Sequence, residues 1–197
     1  MVKNILEDIR KEQILTATKK LIIQRGYSNF SMKDIAEELE MSTGMIYHYF
    51  DNKEDLMVLV LKYSFNTIYT KVTKADSEFT KYPDRIQAYI NSINKSLVED
   101  TEFYSLLLNY FGQVAYSPDI KNIVAKFLKN NRQFVEQILR LGVDGQYIHQ
   151  DDVESIAELI VATYMGLVFQ YIVDPDAINL EEALEKNKAN LFKMLNI

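Results

Sequence analysis

The sequence predicts an all-α protein, and three observations support this prediction. Apolar residues recur at helical spacing along most of the chain, and no sustained period-two alternation typical of strands is present. Only six glycines and three prolines interrupt the 197 residues. Each proline (Pro83, Pro118 and Pro175) stands at an expected helix start beside an acidic residue, which the helix dipole favours there. We therefore expect about nine helices.

The boundaries of these helices follow from capping and termination signals. Gly26 ends the first helix, whereas Ser31 and Ser42 cap the second helix and a short third one. In chain order, the expected helices are roughly Lys11–Arg25, Ser31–Glu38, Ser42–Tyr49, Lys53 to beyond Tyr63, Asp84–Val98, Glu102–Tyr116, Pro118–Leu141, Asp151–Val173 and Asn179–Leu195.

Composition argues against several classes of protein. Because cysteine is absent, the chain can form neither a disulfide framework nor a thiolate zinc site, and a reducing cytoplasm is the expected location. The two histidines, His48 and His149, are too far apart in the sequence to indicate a His-rich metal centre. We expect no metal ion and no cofactor.

The N-terminus and the most apolar segment both argue against membrane targeting. Residues 1–11 carry charges throughout and lack the apolar stretch of a secretory signal. Ile156–Val173 is close to the minimum length of a membrane span, but it contains Glu158 and Gln170 and has acidic flanks. We expect a helix buried in protein, and no membrane partner.

The net charge of −6 argues at face value against nucleic acid as a partner. Residues 31–50, SMKDIAEELEMSTGMIYHYF, nevertheless have the pattern of a helix-turn-helix: a capped helix, a short turn and a second capped helix. Ile35, Ala36 and Ile46 are placed to pack inward, and Ala36 is small where two helices must cross closely. On spacing alone, an ordinary corner of a helical bundle remains an equal alternative.

The match to a known family extends to the residues themselves and is not limited to the spacing of the two helices. The sequence resembles the TetR family of transcriptional regulators over residues 10–56, which include Gly26-Tyr27, Asp34-Ile35-Ala36, Ser42-Thr43-Gly44 and the specific run IYHYF-DNKEDL. One departure is Glu40 in the turn, where the family commonly has glycine. A non-glycine residue in a left-handed turn costs on the order of 1 kcal/mol.

The resemblance implies two domains and a set of DNA contacts. Residues 1–56 would form the helix-turn-helix domain, and residues 57–197 would bind an effector and dimerise. The expected DNA-contacting residues lie in and around the third helix: Lys33, Ser42, Thr43, Gly44, Met45, Tyr47, His48, Tyr49 and Lys53. Core packing is the alternative for the rings of Tyr47 and Tyr49, and simple solvent exposure is the alternative for His48.

The acidic charge then limits how DNA is bound. Residues 1–56 contain eight basic and ten acidic side chains, a net charge of −2. We therefore expect few phosphate contacts per subunit, a shallow dependence of affinity on salt, and reliance on dimerisation. A two-fold dimer would recognise an inverted-repeat operator.

For the larger domain, the sequence predicts a dimer contact on one helix and an effector site lined by aromatic side chains. Ala162 and Gly166 allow close helix approach and are the expected dimer contacts; packing inside one subunit is the alternative. The expected effector is mostly apolar or aromatic, and a flat, a long-chain and a cationic ligand all stay open, since aromatic faces also suit cations. It would contact an aromatic-rich set for which core packing is the alternative: Tyr63, Tyr69, Tyr89, Phe103, Tyr104, Leu107, Phe111, Phe127, Phe134, Tyr164 and Phe169. The fourth helix would couple the effector to DNA.

The resulting prediction is a ligand-responsive repressor. The sequence contains no Gly-rich phosphate loop, nucleophile elbow or metal-binding motif, which argues against an enzyme. A second alternative is a helical binding module that has lost DNA binding, because the helix-turn-helix domain is net negative and carries Glu40.

Overall fold

The computed structural model describes residues 2–74 and 79–197, and within these ranges every regular element is helical. The expected all-α fold with about nine helices is confirmed. The α-helices are α1 (Val2–Arg25), α2 (Met32–Glu38), α3 (Thr43–Tyr49), α4 (Lys53–Lys74), α5 (Tyr82–Glu99), α6 (Thr101–Phe111), α7 (Pro118–Asp144), α8 (Val153–Val173) and α9 (Leu180–Met194), with a 3₁₀ turn at Gln150–Asp152 before α8.

Two helix boundaries differ clearly from the sequence expectation. Helix α1 begins at Val2, nine residues before the expected Lys11, and the apolar residues Val2, Ile5, Leu6 and Ile9 already recur at helical spacing there. Helix α6 ends at Phe111 and not at Tyr116, since residues 112–116 form successive turns that begin at Gly112. Capping signals, Pro83 and Pro118 placed the starts of the other helices within about two residues, whereas the expected helix start at Pro175 is wrong, because residues 175–177 form a turn between α8 and α9.

The chain divides into two compact units. The first unit contains the chain up to Phe65 together with Ser105–Ile123. Its core includes the fully buried side chains of Ile14, Leu21, Ile35 and Ile46. The Tyr110 hydroxyl donates a hydrogen bond of 2.6 Å to the backbone oxygen of Met57 and is buried with it. The buried apolar side chains pack the short helices α2 and α3 with α1, and the Tyr110 hydrogen bond joins α6 to α4.

The second unit contains Asn66–Tyr104 together with Val124–Ile197. Its core is formed by apolar positions of α5, α7, α8 and α9, and Ile86, Ile138, Ile160 and Leu184 are at most 1% exposed. The ring of Tyr82 packs directly on Gly142, where an added Cβ would lie 2.8 Å from a ring carbon. Gly142 therefore lies inside α7 and does not end the helix near Leu141.

Helix α8 is far less covered than the sequence led us to expect. Residues 150–173 are long and apolar enough to cross a membrane by length and composition, but only 22% of this window is buried in the single chain. One such helix is weak support for a span. The remaining side chains of this window are not covered by the described part of the chain.

Candidate nucleic-acid interface and effector cavity

The start of the helix-turn-helix is fixed by a reciprocal cap in the first unit. The Ser31 hydroxyl accepts a hydrogen bond from the backbone N–H of Asp34, and the Asp34 carboxylate accepts one from the backbone N–H of Ser31 at 2.8 Å. These bonds from Ser31, together with Arg25 at 2.6 Å, lower the pKa of Asp34 to about 2. Buried Ile35 and Ala36 then anchor α2 to the core.

The turn between α2 and α3 contains the left-handed residue that the sequence predicts. Glu40 has a φ of 53°, a conformation that normally favours glycine. The following residue closes the turn, because the Met41 N–H donates to the Ala36 oxygen at 2.9 Å. The turn is therefore formed in spite of the missing glycine, at the cost expected for a residue with a side chain.

Helix α3 presents one buried and one exposed face. Ser42 caps it by accepting a hydrogen bond of 3.2 Å from the Met45 N–H, and Ile46 is completely buried. Met45 is 44% exposed and Tyr47 is 52% exposed. Gly44 and His48 are also exposed, whereas Thr43 and Tyr49 are half-buried. The predicted base-reading side chains therefore lie together on a surface that a DNA groove could receive.

Two side chains that were predicted to contact phosphates, Lys53 and Lys33, already interact with other groups of the first unit. The Lys53 ammonium lies 2.5 Å from the Phe30 carbonyl oxygen and 4.1 Å from the centre of the Phe30 ring. Burial lowers the pKa of Lys53 from its ordinary value. Lys33 is exposed and pairs with Glu37 at 3.4 Å, one helical turn away. Contact with a phosphate would require each cation to leave its present partners.

Other basic side chains near the motif are also paired. Lys20 contacts Glu38 at 2.6 Å, and Arg25 contacts Asp34 at the same distance. These pairs lie at the surface, so each contributes little to stability and can be broken cheaply. Around α2, the cations of Lys20, Arg25 and Lys33 are therefore each compensated by a neighbouring carboxylate.

The structure adds a surface that the sequence reasoning missed. The early part of α1 and the exposed face of α3 line an open groove, with Leu6, Glu7 and Arg10 on one side and Gly44, Met45, His48 and Tyr49 on the other. The sequence-based helix began at Lys11 and left these α1 residues out. The apolar Leu6 and Ile9, three positions apart, were the signal that the helix starts earlier.

A mostly apolar cavity of about 60 Å³ lies in the second unit. Five of the predicted effector residues line it, namely Tyr69, Tyr89, Tyr104, Phe127 and Tyr164. The remaining lining residues were not singled out from the sequence, because an aliphatic side chain in a wall looks like any core residue: Ile68, Val72, Ile93, Leu97, Leu128, Asn131, Ile160, Val161 and Met165.

The other predicted effector residues lie elsewhere. Phe134 packs behind the wall against the rings of Tyr69 and Tyr89, and Phe103 packs against Tyr104 and Phe127. Phe169 is 51% exposed on α8. The remaining three belong to the first unit: Tyr63, whose hydroxyl donates to Glu12, and Leu107 and Phe111 on α6.

The polar groups of the cavity wall are tied to neighbouring helices. The Tyr164 hydroxyl donates to the Asn94 side-chain oxygen at 2.9 Å, and the Tyr104 hydroxyl is hydrogen-bonded to Ser96. Burial raises the pKa of both phenols, so both remain neutral. The Asn131 amide donates to the Phe127 carbonyl at 2.8 Å. Among the described residues that line the cavity, none carries a charge.

The two predicted dimer residues lie on the open face of α8. Ala162 is exposed, and a Cβ added to Gly166 would meet nothing within 4 Å. The same face carries Leu159, Phe169 and Val173, which are 49%, 51% and 64% exposed. These five residues, spaced three and four apart, define an α8 stripe that has the pattern of a helix–helix seam.

Comparisons with known proteins match both parts of the chain. Residues 14–60 match bacterial regulatory proteins of the tetR family, and residues 83–195 match the C-terminal domain of BetI-type transcriptional repressors. The HTH-type transcriptional regulator HbdR of Aromatoleum sp. (strain CIB) is 33% identical over 181 residues, which cover 92% of this chain and 78% of HbdR.

Two further comparisons bear on coverage and fold. The uncharacterized HTH-type regulator YuxN of Bacillus subtilis (strain 168) is 28% identical, but the match covers 66% of this chain and only 45% of YuxN. A transcriptional regulator from Saccharomonospora viridis, crystallised in complex with choline, superposes with a TM-score of 0.83 at 18% identity over 94% of this chain and 96% of that one. This last likeness concerns the fold alone.

Proposed function

The chain belongs to the TetR family of transcriptional regulators, and from this premise we propose that it is a repressor that binds an inverted-repeat operator as a homodimer and is released by a small, mostly apolar effector. Because the family and these relatives are transcriptional regulators, the enzyme alternative is excluded. The observation that carries the proposal is the aromatic, uncharged cavity in the second unit, in a chain that also presents the exposed face of α3.

DNA recognition in this proposal uses the exposed face of α3. Gly44, Met45 and His48 would meet base edges, with Gly44 allowing the backbone to approach closely, while Thr43, Tyr47 and Tyr49 would add contacts to bases and phosphates. Ser42 supports this surface by capping the helix. Lys33 and Lys53 would act after exchanging their present partners for phosphates. The proposal keeps the predicted boundary between the DNA-binding domain, residues 1–56, and the effector-binding and dimerisation domain, residues 57–197.

The salt dependence of binding tests the DNA side. Because Lys20, Arg25 and Lys33 are each paired with a carboxylate, we expect a shallow slope of log affinity against log salt. Glu37→Gln removes the partner of Lys33 and should strengthen binding and steepen that slope by about one phosphate contact per subunit. Lys186→Gln, which removes an exposed cation of α9, is the control. A steep slope in the unmodified protein would contradict the proposal.

Dimerisation would cover the α8 stripe. Leu159, Phe169 and Val173 are exposed in one chain, and the small residues Ala162 and Gly166 between them would let a second helix approach. In such a dimer the two α3 helices would meet successive major grooves, about 34–36 Å apart. Analytical ultracentrifugation of Gly166→Leu tests this arrangement: the substitution should weaken the dimer, and an unchanged dimer would reject the stripe as the interface.

The effector in this proposal is neutral and apolar. Aromatic rings can bind cations such as choline, which the S. viridis regulator contains in its crystal structure. In this chain no carboxylate lines the cavity among the described residues, so a cation would lose its hydration without gaining a counter-charge. The cavity is also small, at about 60 Å³, so a larger effector must displace part of the wall.

A thermal-shift screen tests the effector class. Neutral aromatic and aliphatic compounds should raise the melting temperature, and choline should raise it less than a neutral molecule of the same size. Replacing Tyr104 with Trp narrows the cavity and should abolish the shift for the larger compounds. Stabilisation by choline alone would reverse the assignment to a neutral effector.

A second candidate function is a binding module without DNA affinity. It is favoured by the net charge of −2 in residues 1–56 and by the pairing of the cations around α2. Selection of bound fragments from genomic DNA discriminates between the two. Enrichment of an inverted repeat supports the repressor, whereas no enrichment with or without effector supports the module. A cytoplasmic location forms part of the repressor proposal.

A further inference from the structure

A buried chain of hydrogen bonds connects the cavity wall to α9. The ring of Tyr164 on α8 lines the cavity, and its hydroxyl donates to the side-chain oxygen of Asn94 on α5 at 2.9 Å. The Asn94 amide nitrogen donates in turn to the backbone oxygen of Leu184 on α9 at 3.3 Å. Three helices of the second unit are therefore joined by two consecutive hydrogen bonds, which we name the Tyr164–Asn94 bridge.

The burial of this bridge makes its members move together. Tyr164 is 6% exposed and Asn94 is 8% exposed, although Asn94 also lines an open groove together with Leu184 and Glu185. Separating the two groups inside the protein would leave a donor and an acceptor unpaired in a poorly solvated environment. A displacement of the Tyr164 ring is therefore followed most cheaply by a shift of Asn94 and of the α9 turn that it contacts.

Helix α9 also carries a polar group that favours a second arrangement. Asn187, one turn after Leu184, lies near the same Tyr164 hydroxyl without making a hydrogen bond to it. Its side-chain nitrogen is buried and has no hydrogen-bond partner among the described residues. A buried donor without a partner is costly, so a shift of α9 that pairs this nitrogen would be compensated. The far end of the bridge is thus able to adopt a different position.

We propose that the Tyr164–Asn94 bridge transmits occupancy of the cavity to α9, so that the effector alters the α9 surface beside the α8 stripe. The inference rests on the proposed function, because it takes the cavity as the effector site. An occupant larger than about 60 Å³ must displace a wall ring, and the Tyr164 hydroxyl reaches α9 through Asn94. This route ends at α9, which packs against α8, and is separate from coupling along α4.

Tyr104 provides a matched control within the same cavity. Its ring also lines the wall, and its hydroxyl is also buried and hydrogen-bonded. Its partner is Ser96 of α5, however, and Ser96 bonds to Asp100 just beyond the end of that helix. Tyr104→Phe and Tyr164→Phe therefore each remove one hydroxyl group from a ring of the same cavity wall, but only Tyr164→Phe breaks the connection to α9.

The test measures hydrogen exchange of α9 backbone amides in the full-length protein with and without benzene. Benzene is a neutral probe larger than the cavity, so its entry requires the wall to move. We expect benzene to raise the melting temperature of the unmodified protein and of both variants. The exchange rates in α9 should change several-fold in the unmodified protein and in Tyr104→Phe, and should be insensitive to benzene in Tyr164→Phe.

A double variant separates signal transmission from simple stabilisation. Tyr164→Phe leaves the Asn94 oxygen buried without its donor, so the single variant should be less stable. Adding Asn94→Leu replaces both partners with apolar groups and should recover stability. If the bridge transmits the signal, the double variant regains stability while α9 still does not respond to benzene; if the bridge is only structural, the response returns with stability.

Each outcome assigns the failure to one hypothesis. If benzene stabilises all variants and α9 responds equally in Tyr164→Phe, the proposed role of the bridge in transmission is rejected, and the cavity remains the proposed effector site. If benzene stabilises none of the proteins, the cavity is overturned as the effector site and the bridge with it. A response in the unmodified protein and Tyr104→Phe, lost in Tyr164→Phe and in the double variant, supports the proposal.

Discussion

The two units differ in how they combine binding with stability. In the first unit, α3 keeps these tasks on opposite faces: Ile46 is completely buried, and its neighbours Met45 and Tyr47 are about half exposed. In the second unit, the same side chains serve as core and as cavity wall, since Tyr89, Tyr104 and Tyr164 are at most 8% exposed and line the cavity. Mutation should therefore separate binding from folding in the first unit but not in the second.

The largest expected effect lies in the cavity wall. Tyr104→Ala removes a buried aromatic ring and should lower the free energy of unfolding by about 3–5 kcal/mol. It should also enlarge the cavity and shift effector preference toward larger molecules. Chemical denaturation and the thermal-shift screen measure the two effects. Tyr116→Ala, at a ring that is 84% exposed, is the control and should change neither.

Two substitutions in α3, Ile46→Ala and Met45→Ala, should separate protein stability from operator binding. Ile46→Ala should cost about 2–5 kcal/mol of stability, because it empties a fully buried site. Met45→Ala, one position earlier and exposed, should change stability by less than about 0.5 kcal/mol but weaken operator binding. Denaturation and gel-shift titration of both variants check this. Equal losses of stability would show that α3 does not divide its faces as described.

A smaller effect is expected in the turn that joins α2 to α3. Glu40 has a φ of 53°, so Glu40→Gly should relieve strain and stabilise the protein by about 1 kcal/mol. Glu37→Gly, inside the exposed face of α2, should have the opposite sign and a similar size. Thermal denaturation of the two variants gives the comparison, and destabilisation by Glu40→Gly would mean that its side chain makes a compensating contact.

The smallest expected effect is on acid stability. Hydrogen bonds from Ser31, with Arg25 nearby, lower the pKa of Asp34 from its ordinary 3.8 to about 2. A carboxylate with a lowered pKa in the folded state stabilises that state fully above about pH 4, and this contribution declines as the pH falls toward 2. Asp34→Asn should therefore unfold at a less acidic pH than Asp176→Asn. Circular dichroism along an acid titration measures the difference.

Local signals explain which parts could be predicted from the sequence. The two short helices of the motif were placed correctly because Ser31 and Ser42 are caps, and a cap depends only on the next three residues. The left-handed turn at Glu40 was expected from the resemblance to the family, which commonly has glycine at this position. The extra turns of α1 were missed because the charges of Lys3, Glu7, Asp8 and Arg10 drew attention away from Val2, Ile5, Leu6 and Ile9, which recur at helical spacing.

The cavity needed information that periodicity does not contain. Helical spacing shows that Tyr63 and Tyr69 can both face inward, but not that Tyr63 belongs to the first unit and Tyr69 to the second. The partners of buried polar groups are equally non-local, since Tyr164 and Asn94 are 70 residues apart in the chain. Only the packed structure shows that they meet.

The open face of α8 has a consequence for gene dosage. For a chain whose α8 stripe is covered only by a second copy, the concentration of active dimer rises with the square of the monomer concentration when few copies are present. Operator occupancy then responds more steeply than linearly to the number of molecules in a cell. A modest change in expression would then switch such a regulator from mostly monomeric protein with a largely free operator to mostly dimeric protein with a largely occupied operator.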